Sequence, residues 1–111
     1  MTVSELVNKL GLKVFSGEKG LDRQVTGGYV SDLLSDVMGN ARENQIWITL
    51  QVHQNVMAIA SLKDMAAVIL VKGFQPNENT MRHSNSENIP ILGTDLSTFE
   101  ITGKLYQLLN H

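Results

Sequence analysis

The residues best suited to ligand chemistry lie in short loops that follow predicted strands. The first of these loops carries Thr49, His53 and Asn55, the last of them at a predicted helix start. Exposed backbone amides and the helix dipole favour an anion at such a position, so a phosphate group fits there. A simpler interpretation is also open, in which His53 or Asn55 only caps the helix.

The two later loops each carry a charged residue, a lysine in the first and an aspartate in the second. Lys72 stands beside Gly73, where a cation can neutralise a ligand or simply end a strand. Asp95 can accept a hydrogen bond from a sugar or a base, although a turn role also suits its position. Ligands of open α/β sheets bind outside the carboxyl ends of the strands, so the three loops should lie at one edge. The predicted ligand site consists of Thr49, His53, Asn55, Lys72 and Asp95.

A metal site is a weaker interpretation of the acidic residues. Asp32 and Asp36 are four apart on a predicted helix, which would let them face one Mg²⁺ or Ca²⁺ ion. No further acidic residue clusters with them, so an ordinary solvated helix face is favoured. The histidines are isolated in the sequence, and we expect the C-terminal His111 to be exposed. No metal ion is predicted.

Recognisable catalytic motifs are absent from the sequence. It contains no GxxxxGK[ST] phosphate loop, no GxGxxG dinucleotide fingerprint and no GxSxG nucleophile elbow. An enzyme that uses His53 as general base with Asp95 as its partner remains the least favoured alternative. We therefore predict a protein that is not an enzyme and needs no cofactor.

The composition indicates one globular domain over residues 1–111. With 42% hydrophobic and 18% charged residues, the chain has enough apolar surface to fold. A net charge of −2 provides no basic field for nucleic acid, and no apolar run is long enough to span a membrane. Disulfides and thiolate chemistry are excluded because there is no cysteine. We expect a cytoplasmic protein.

Local patterns predict the elements that would position these residues. A capping box of Thr2 and Glu5 opens the first helix, and Gly11 should end it in a left-handed conformation. Strands are predicted over 12–15 and over 25–30. The second of these contains Gly27-Gly28, a pair that marks either a bulge or the close approach of another backbone.

The remaining pattern alternates strands with helices. A helical face begins at Leu34 with Ser31 as its cap, and the buried-type runs 46–50 and 67–71 enclose a helix over 55–62. A short strand at 90–92 precedes a C-terminal helix that a second capping box opens. The polar segment 76–88 predicts a loosely held helix, since Met81 is nearly its only apolar anchor. This order favours a single α/β domain, in which a central, mostly parallel sheet is flanked by helices.

One segment carries Asp22 and Arg23, followed by Thr26, Gly27 and Gly28. This segment resembles the signature of a known family, the DRTGG domain. Its residues are followed by the run 29–38, and segments 47–49, 53–55 and 67–69 also resemble that family. Two residues, Gln24 and Val25, separate the two halves of the signature. The signature residues are Asp22, Arg23, Thr26, Gly27 and Gly28.

The resemblance implies an accessory module similar to the N-terminal domain of HPr kinase/phosphorylase. Such domains also occur in some phosphotransacetylases and beside paired CBS modules in regulatory pyrophosphatases. The resemblance implies regulation and subunit association, with the signature residues at an interface or in a structural role. We therefore predict a non-catalytic homodimer with a protein partner. The alternative is a sensor that binds a nucleotide or another phosphorylated metabolite.

Overall fold

The structure is a computed structural model that describes residues 1–110, so the prediction for His111 lies outside the described residues. A single turn of 3₁₀-helix, Glu18–Gly20, follows the first strand. The helices and strands are α1 Val3–Leu10, β1 Lys13–Ser16, β2 Gly27–Val30, α2 Leu34–Asn40, β3 Gln45–Thr49, α3 Asn55–Leu62, β4 Ala67–Leu70, α4 Glu78–Glu87, β5 Ile91–Gly93 and α5 Thr98–Leu109.

The five strands form one sheet in the order β1-β5-β4-β3-β2. Strands β2, β3, β4 and β5 run parallel, and β1 pairs with β5 in the antiparallel direction. The predicted α/β class and mostly parallel sheet are confirmed. Strands β3 and β4 are central and buried on both faces, which explains their continuous apolar runs.

Helices cover both faces of the sheet. Apolar residues of α1 and α5 pack on one face with Ile46 and Ile48, while residues of α2 and α3 pack on the other face with Trp47. Helix α4 contacts α3 and β1. The alternation of side chains along β3 therefore supplies both cores. No helix within residues 1–110 is long and apolar enough to cross a membrane.

Both predicted capping boxes are present and begin their helices. The Thr2 hydroxyl accepts from the Glu5 amide at 3.2 Å, and the Glu5 carboxylate accepts from the Thr2 amide. Ser97 and Glu100 repeat the arrangement at the start of α5. Gly11 ends α1 with φ at 63°, the left-handed conformation that glycine adopts without strain.

The start of α2 differs from the prediction. Its N-cap residue is Leu33, so Ser31 is not the cap, although the Ser31 hydroxyl accepts from the Leu33 amide at 3.1 Å. Met38 is exposed, whereas Val37 is buried. Asp32 precedes the helix because it is drawn into a loop contact with β3, and the predicted pair of carboxylates on one helix face is therefore wrong.

Segment 76–88 contains the regular helix α4, and polar contacts attach this helix to the domain. Asn77 caps α4 by accepting from the Thr80 amide. The buried Thr80 hydroxyl donates to the Val52 carbonyl at 2.8 Å, and the buried Ser84 hydroxyl donates to the Ile89 carbonyl at 2.6 Å. Hydrogen bonds to buried carbonyls thus take the place of an apolar stripe.

Candidate functional site

Arg23 of the signature segment connects three parts of the chain, because its side chain bonds to the end of α4 and to the turn before β4. Its guanidinium donates from Nε to the Asn88 carbonyl at 2.8 Å, and from Nη2 to the Glu87 carbonyl at 3.4 Å. A third bond joins Nη1 to the Asp64 carboxylate at 3.1 Å, in the turn before β4. The arginine therefore satisfies carbonyls at the C-terminal end of α4, where a cation is favoured by the helix dipole.

The backbone around the signature segment is tied down on both sides. The Val3 amide donates to the Arg23 carbonyl at 3.0 Å, and the Thr26 amide donates to the Asn44 carbonyl at 3.0 Å. The Asp22 side chain is exposed. Close packing adds to these bonds, because a Cβ atom on Gly20 would collide with the Asn88 carbonyl.

The glycine pair of the signature lies in β2 without a bulge. Residues Gly27 and Gly28 keep a regular parallel register with Gln45 and Ile46 of β3. A Cβ atom on Gly28 would stand 3.2 Å from a methyl carbon of Leu105, so a side chain of α5 occupies the space above this glycine. Neither predicted role is present in the form expected, because the strand has no bulge and the group close to Gly28 is a side chain of α5 and not another backbone.

Tyr29 and Asp36 form a hydrogen bond on the opposite face of β2. The tyrosine hydroxyl donates to the carboxylate at 2.9 Å. This bond lowers the pKa of Asp36 below its usual value, with further help from Ser31 and Asn40. The same bond raises the pKa of the Tyr29 hydroxyl, and burial adds to the effect.

The loops after β2 and β3 are joined through Asp32. Its carboxylate accepts from the Thr49 hydroxyl and from the Leu50 amide, both at 2.7 Å. The Gln51 side chain donates to the Asp32 carbonyl at 3.0 Å. Thr49 is 1% exposed, so the hydroxyl predicted to bind a ligand already has an internal partner.

His53 and Asn55 are exposed at the start of α3. The N-cap residue is Gln54, and no side chain caps this helix, so the alternative in which His53 or Asn55 is the capping side chain is wrong. The His53 carbonyl instead accepts from the Val56 amide at 3.0 Å. These two side chains lie on the side of the sheet that α3 covers.

Lys72 and Asp95 lie close together at the end of β5. The Lys72 amide donates to the Leu96 carbonyl, and the Gly73 amide donates to the Thr94 carbonyl, both at 2.9 Å. A Cβ atom on Gly73 would stand 3.2 Å from the Asp95 carboxylate, which places the acidic side chain against this loop. Asp95 lines two clefts, of about 530 and 260 Å³.

A comparison with known protein families agrees with the signature segment. The profile of the DRTGG domain matches residues 5–108, which is nearly the whole chain. The chain belongs to the DRTGG domain family.

A solved structure shares the fold of this DRTGG domain. It contains the CBS and DRTGG domains of the regulatory region of Clostridium perfringens pyrophosphatase, complexed with the activator diadenosine tetraphosphate. The TM-score is 0.67 at 12% sequence identity, over 94% of this chain. The match covers 45% of the pyrophosphatase chain, so this DRTGG domain spans about half of its length.

The structure of the DRTGG domain separates the predicted ligand residues into two groups. Thr49, His53 and Asn55 lie near the start of α3, whereas neither cleft beside Asp95 is lined by any of these three. Lys72 is adjacent to the smaller cleft through Gly73. The carboxyl ends of the parallel strands share one edge, but the fold does not bring the two groups into one cleft.

Two lysines of the larger cleft were missed by the sequence analysis. Lys9, in the last turn of α1, and Lys104, in α5, line this cleft together with Asp95. No local pattern joins them, since they become neighbours only when β1 pairs with β5 and carries the end of α1 to that edge.

Proposed function

We propose that this DRTGG domain is a non-catalytic regulatory module that self-associates as a homodimer through the open edge of β2. Strand β2 pairs with β3 on one side only, so its other backbone edge has no strand partner within residues 1–110. That open edge is the observation that carries the proposal.

The two edges of the sheet are protected very differently. Strand β1 carries Lys13, has an irregular register between Val14 and Ser16, and is packed against α4. These are the usual devices that prevent edge-to-edge pairing. Strand β2 lacks the charge and the irregular register, because its four residues are uncharged, contain no proline and keep a regular register, while α5 packs against it as α4 packs against β1. An unprotected edge of this kind favours strand pairing with a second chain.

Apolar surface extends the edge of β2 towards α5. A groove of about 300 Å³ lies between them and is lined by Val30, Leu105, Tyr106 and Leu109. Val30 is 44% and Tyr106 67% exposed. The Thr102 hydroxyl is buried in the same groove without a hydrogen-bond partner among the described residues. A partner that covers this surface would bury apolar area.

A second copy of the chain is the occupant that the edge favours. Two β2 strands related by a two-fold axis would pair in the antiparallel direction, and each would present the same groove to the other. The low net charge of −2 adds little repulsion between copies. A regulatory role is supported by the pyrophosphatase structure, whose DRTGG domain belongs to a regulatory region.

Light scattering after size exclusion tests this proposal. The chain mass is 12.3 kDa, and we expect about twice that mass at micromolar concentration. Val30→Lys places a charge at the open edge and should return the protein to the monomer mass. The control is Leu62→Lys, since Leu62 is 68% exposed on α3 and should tolerate the charge without a change in mass.

Two results contradict the proposal in different ways. A wild-type mass near 12.3 kDa refutes the homodimer itself. A dimer that survives Val30→Lys refutes the β2 edge as its interface.

A second candidate function is the sensing of a phosphorylated metabolite. It is favoured by the clefts at the end of β5 and by the nucleotide activator bound in the pyrophosphatase structure. Thermal unfolding against a panel of nucleotides and sugar phosphates tests it. A ligand at about 100 times its Kd should add about 2.7 kcal/mol, which raises Tm by roughly 10 °C. A panel without any shift would refute sensing of these two classes.

A further inference from the structure

The two clefts at the end of β5 are adjacent and share lining residues, and we call them together the rim. The larger lies between the end of α1 and α5, and the smaller lies beside β1. Both are lined by Gly11, Thr94 and Asp95. A ligand that reaches across Asp95 would therefore contact both clefts at once. The larger cleft, of about 530 Å³, is in the usual range of small-molecule sites, and the smaller one adds about 260 Å³ beside it.

Positive charge is concentrated around this rim. Lys9 and Lys104 line the larger cleft, and Lys13 lines the smaller one. None of the three forms a salt bridge within residues 1–110, and Asp95 is the one acidic side chain that lines either cleft. The chain as a whole is negative at −2, so the cations are unevenly distributed and favour an anionic group here.

Aromatic rings border the smaller cleft. Phe15 and Phe74 both line it, and Phe74 is 45% exposed. The Lys13 ammonium stands 5.0 Å from the centre of the Phe15 ring, so a cation already covers that ring. Phe74 is the ring whose exposed surface could receive a planar group by stacking.

We propose that this rim binds a nucleotide, with its phosphates between Lys9 and Lys104, a ribose hydroxyl donating to Asp95, and its base on Phe74. This inference rests on the second candidate function and places the site at the end of β5, with the larger cleft between α1 and α5 and the smaller cleft beside β1. The predicted residues His53 and Asn55 at the start of α3 take no part in it.

The position of Asp95 favours a nucleotide over a polyanion that has no hydroxyl group. A carboxylate repels phosphate, but it accepts a hydrogen bond from a hydroxyl group. A ligand must therefore be anionic at one end, carry a hydroxyl donor in its middle and present an apolar plane at the other end. Nucleotides have this order of groups, whereas inorganic polyphosphate lacks both the hydroxyl and the plane.

Calorimetric titration of the full chain with ATP tests the inference, with tripolyphosphate as the comparison ligand. ATP should bind more tightly than tripolyphosphate to the wild type. Lys104→Ala should weaken ATP by about tenfold, because it removes a charge-assisted contact to phosphate. Phe74→Ala should weaken ATP by about fivefold or more and leave tripolyphosphate unchanged. Lys19→Ala is the matched control, since Lys19 is an exposed lysine that lines neither cleft.

Asp95→Ala provides a readout that a structural role alone would not give. Loss of the carboxylate should weaken ATP and strengthen tripolyphosphate, so the two affinities move in opposite directions. Equal shifts for both ligands would refute the role given to Asp95.

The failure of this inference can be distinguished from failure of sensing. ATP binding that is weakened by Asn55→Ala and unaffected by Lys104→Ala would overturn the site and leave sensing intact. If tripolyphosphate bound the wild type as tightly as ATP, a nucleotide would be ruled out as the specific ligand, and the rim would be a site for polyanions. No binding of ATP at millimolar concentration would overturn the inference, and the sugar phosphates of the wider panel would then decide sensing separately.

Discussion

Replacing Arg23 tests whether the family signature is a structural clamp or an interface. Arg23→Met keeps most of the apolar stem of the side chain and removes every donor. The Nε bond to the Asn88 carbonyl is short, at 2.8 Å, and the side chain is 25% exposed. Hydrogen bonds to charged groups contribute about 1.5–3 kcal/mol, and the cation at a helix C-terminus adds about 0.3–1 kcal/mol.

The other two contacts of Arg23 contribute little. The Asp64 partner is 64% exposed, so this ion pair stabilises the fold by about 0.5 kcal/mol or less. The Nη2 bond to Glu87 is 3.4 Å long and therefore weak. We expect Arg23→Met to lower the free energy of unfolding by about 2 kcal/mol, which corresponds to a Tm lower by roughly 10 °C.

Urea and thermal unfolding measure this loss of stability. Helix α4, whose C-terminal end Arg23 contacts, offers a matched control. Arg82 pairs with Glu78 in α4 at 2.8 Å, but both side chains are more than half exposed. Arg82→Met should change the free energy of unfolding by about 0.5 kcal/mol or less. Asp64→Asn isolates the exposed ion pair and should have an equally small effect.

The result that would refute the clamp is an Arg23→Met variant as stable as Arg82→Met. A variant of unchanged stability but altered mass in light scattering would instead make the signature an interface. Loss of stability with unchanged mass is the expected outcome.

Three further perturbations test other parts of the structure. Gly28→Val should lower stability by about 1–3 kcal/mol in thermal unfolding, because the side chain of α5 above it is already close; an unchanged Tm and an unchanged mass would contradict this. Thr80→Val should cost about 1–2 kcal/mol in urea unfolding by leaving the Val52 carbonyl without its donor, and an unchanged midpoint would count against the polar docking of α4. The pKa of Asp36 is lowered from 3.8 mainly by Tyr29, so its ionised form adds stability above that pH, and this contribution is lost as the pH falls through the lower native pKa. Tyr29→Phe should raise the pKa of Asp36 in an NMR titration and make the free energy of unfolding depend less on pH in the acid range. Equal titration curves of Asp36 in the variant and the wild type would refute the assignment.

Local sequence patterns were sufficient for the elements whose ends are fixed by neighbouring residues. The capping boxes at Thr2 and Ser97 connect groups only three residues apart, so the sequence contains both partners of each bond. The buried strands β3 and β4 were equally clear, because burial on both faces demands a continuous apolar run. The family signature was visible in the sequence as well.

Helix α4 and the start of α2 were less predictable for a physical reason. The buried hydroxyls of Thr80 and Ser84 look like solvated side chains until their distant partners are known, which are the Val52 carbonyl 28 residues away and the Ser16 hydroxyl 68 residues away. Asp32 leaves the α2 pattern because it bonds to Thr49, 17 residues further along. Bonds of this separation exist only after the sheet has formed.

The roles of Arg23, Lys9 and Lys104 were decided by the tertiary structure. Arg23 could have faced a partner, but the fold turns its guanidinium to the end of α4, 65 residues away. Lys9 and Lys104 meet beside Asp95 because β1 runs antiparallel to β5 and brings the end of α1 to that edge. The sequence thus determined the elements, through contacts a few residues apart, and the pairing of distant strands determined which side chains share a cleft.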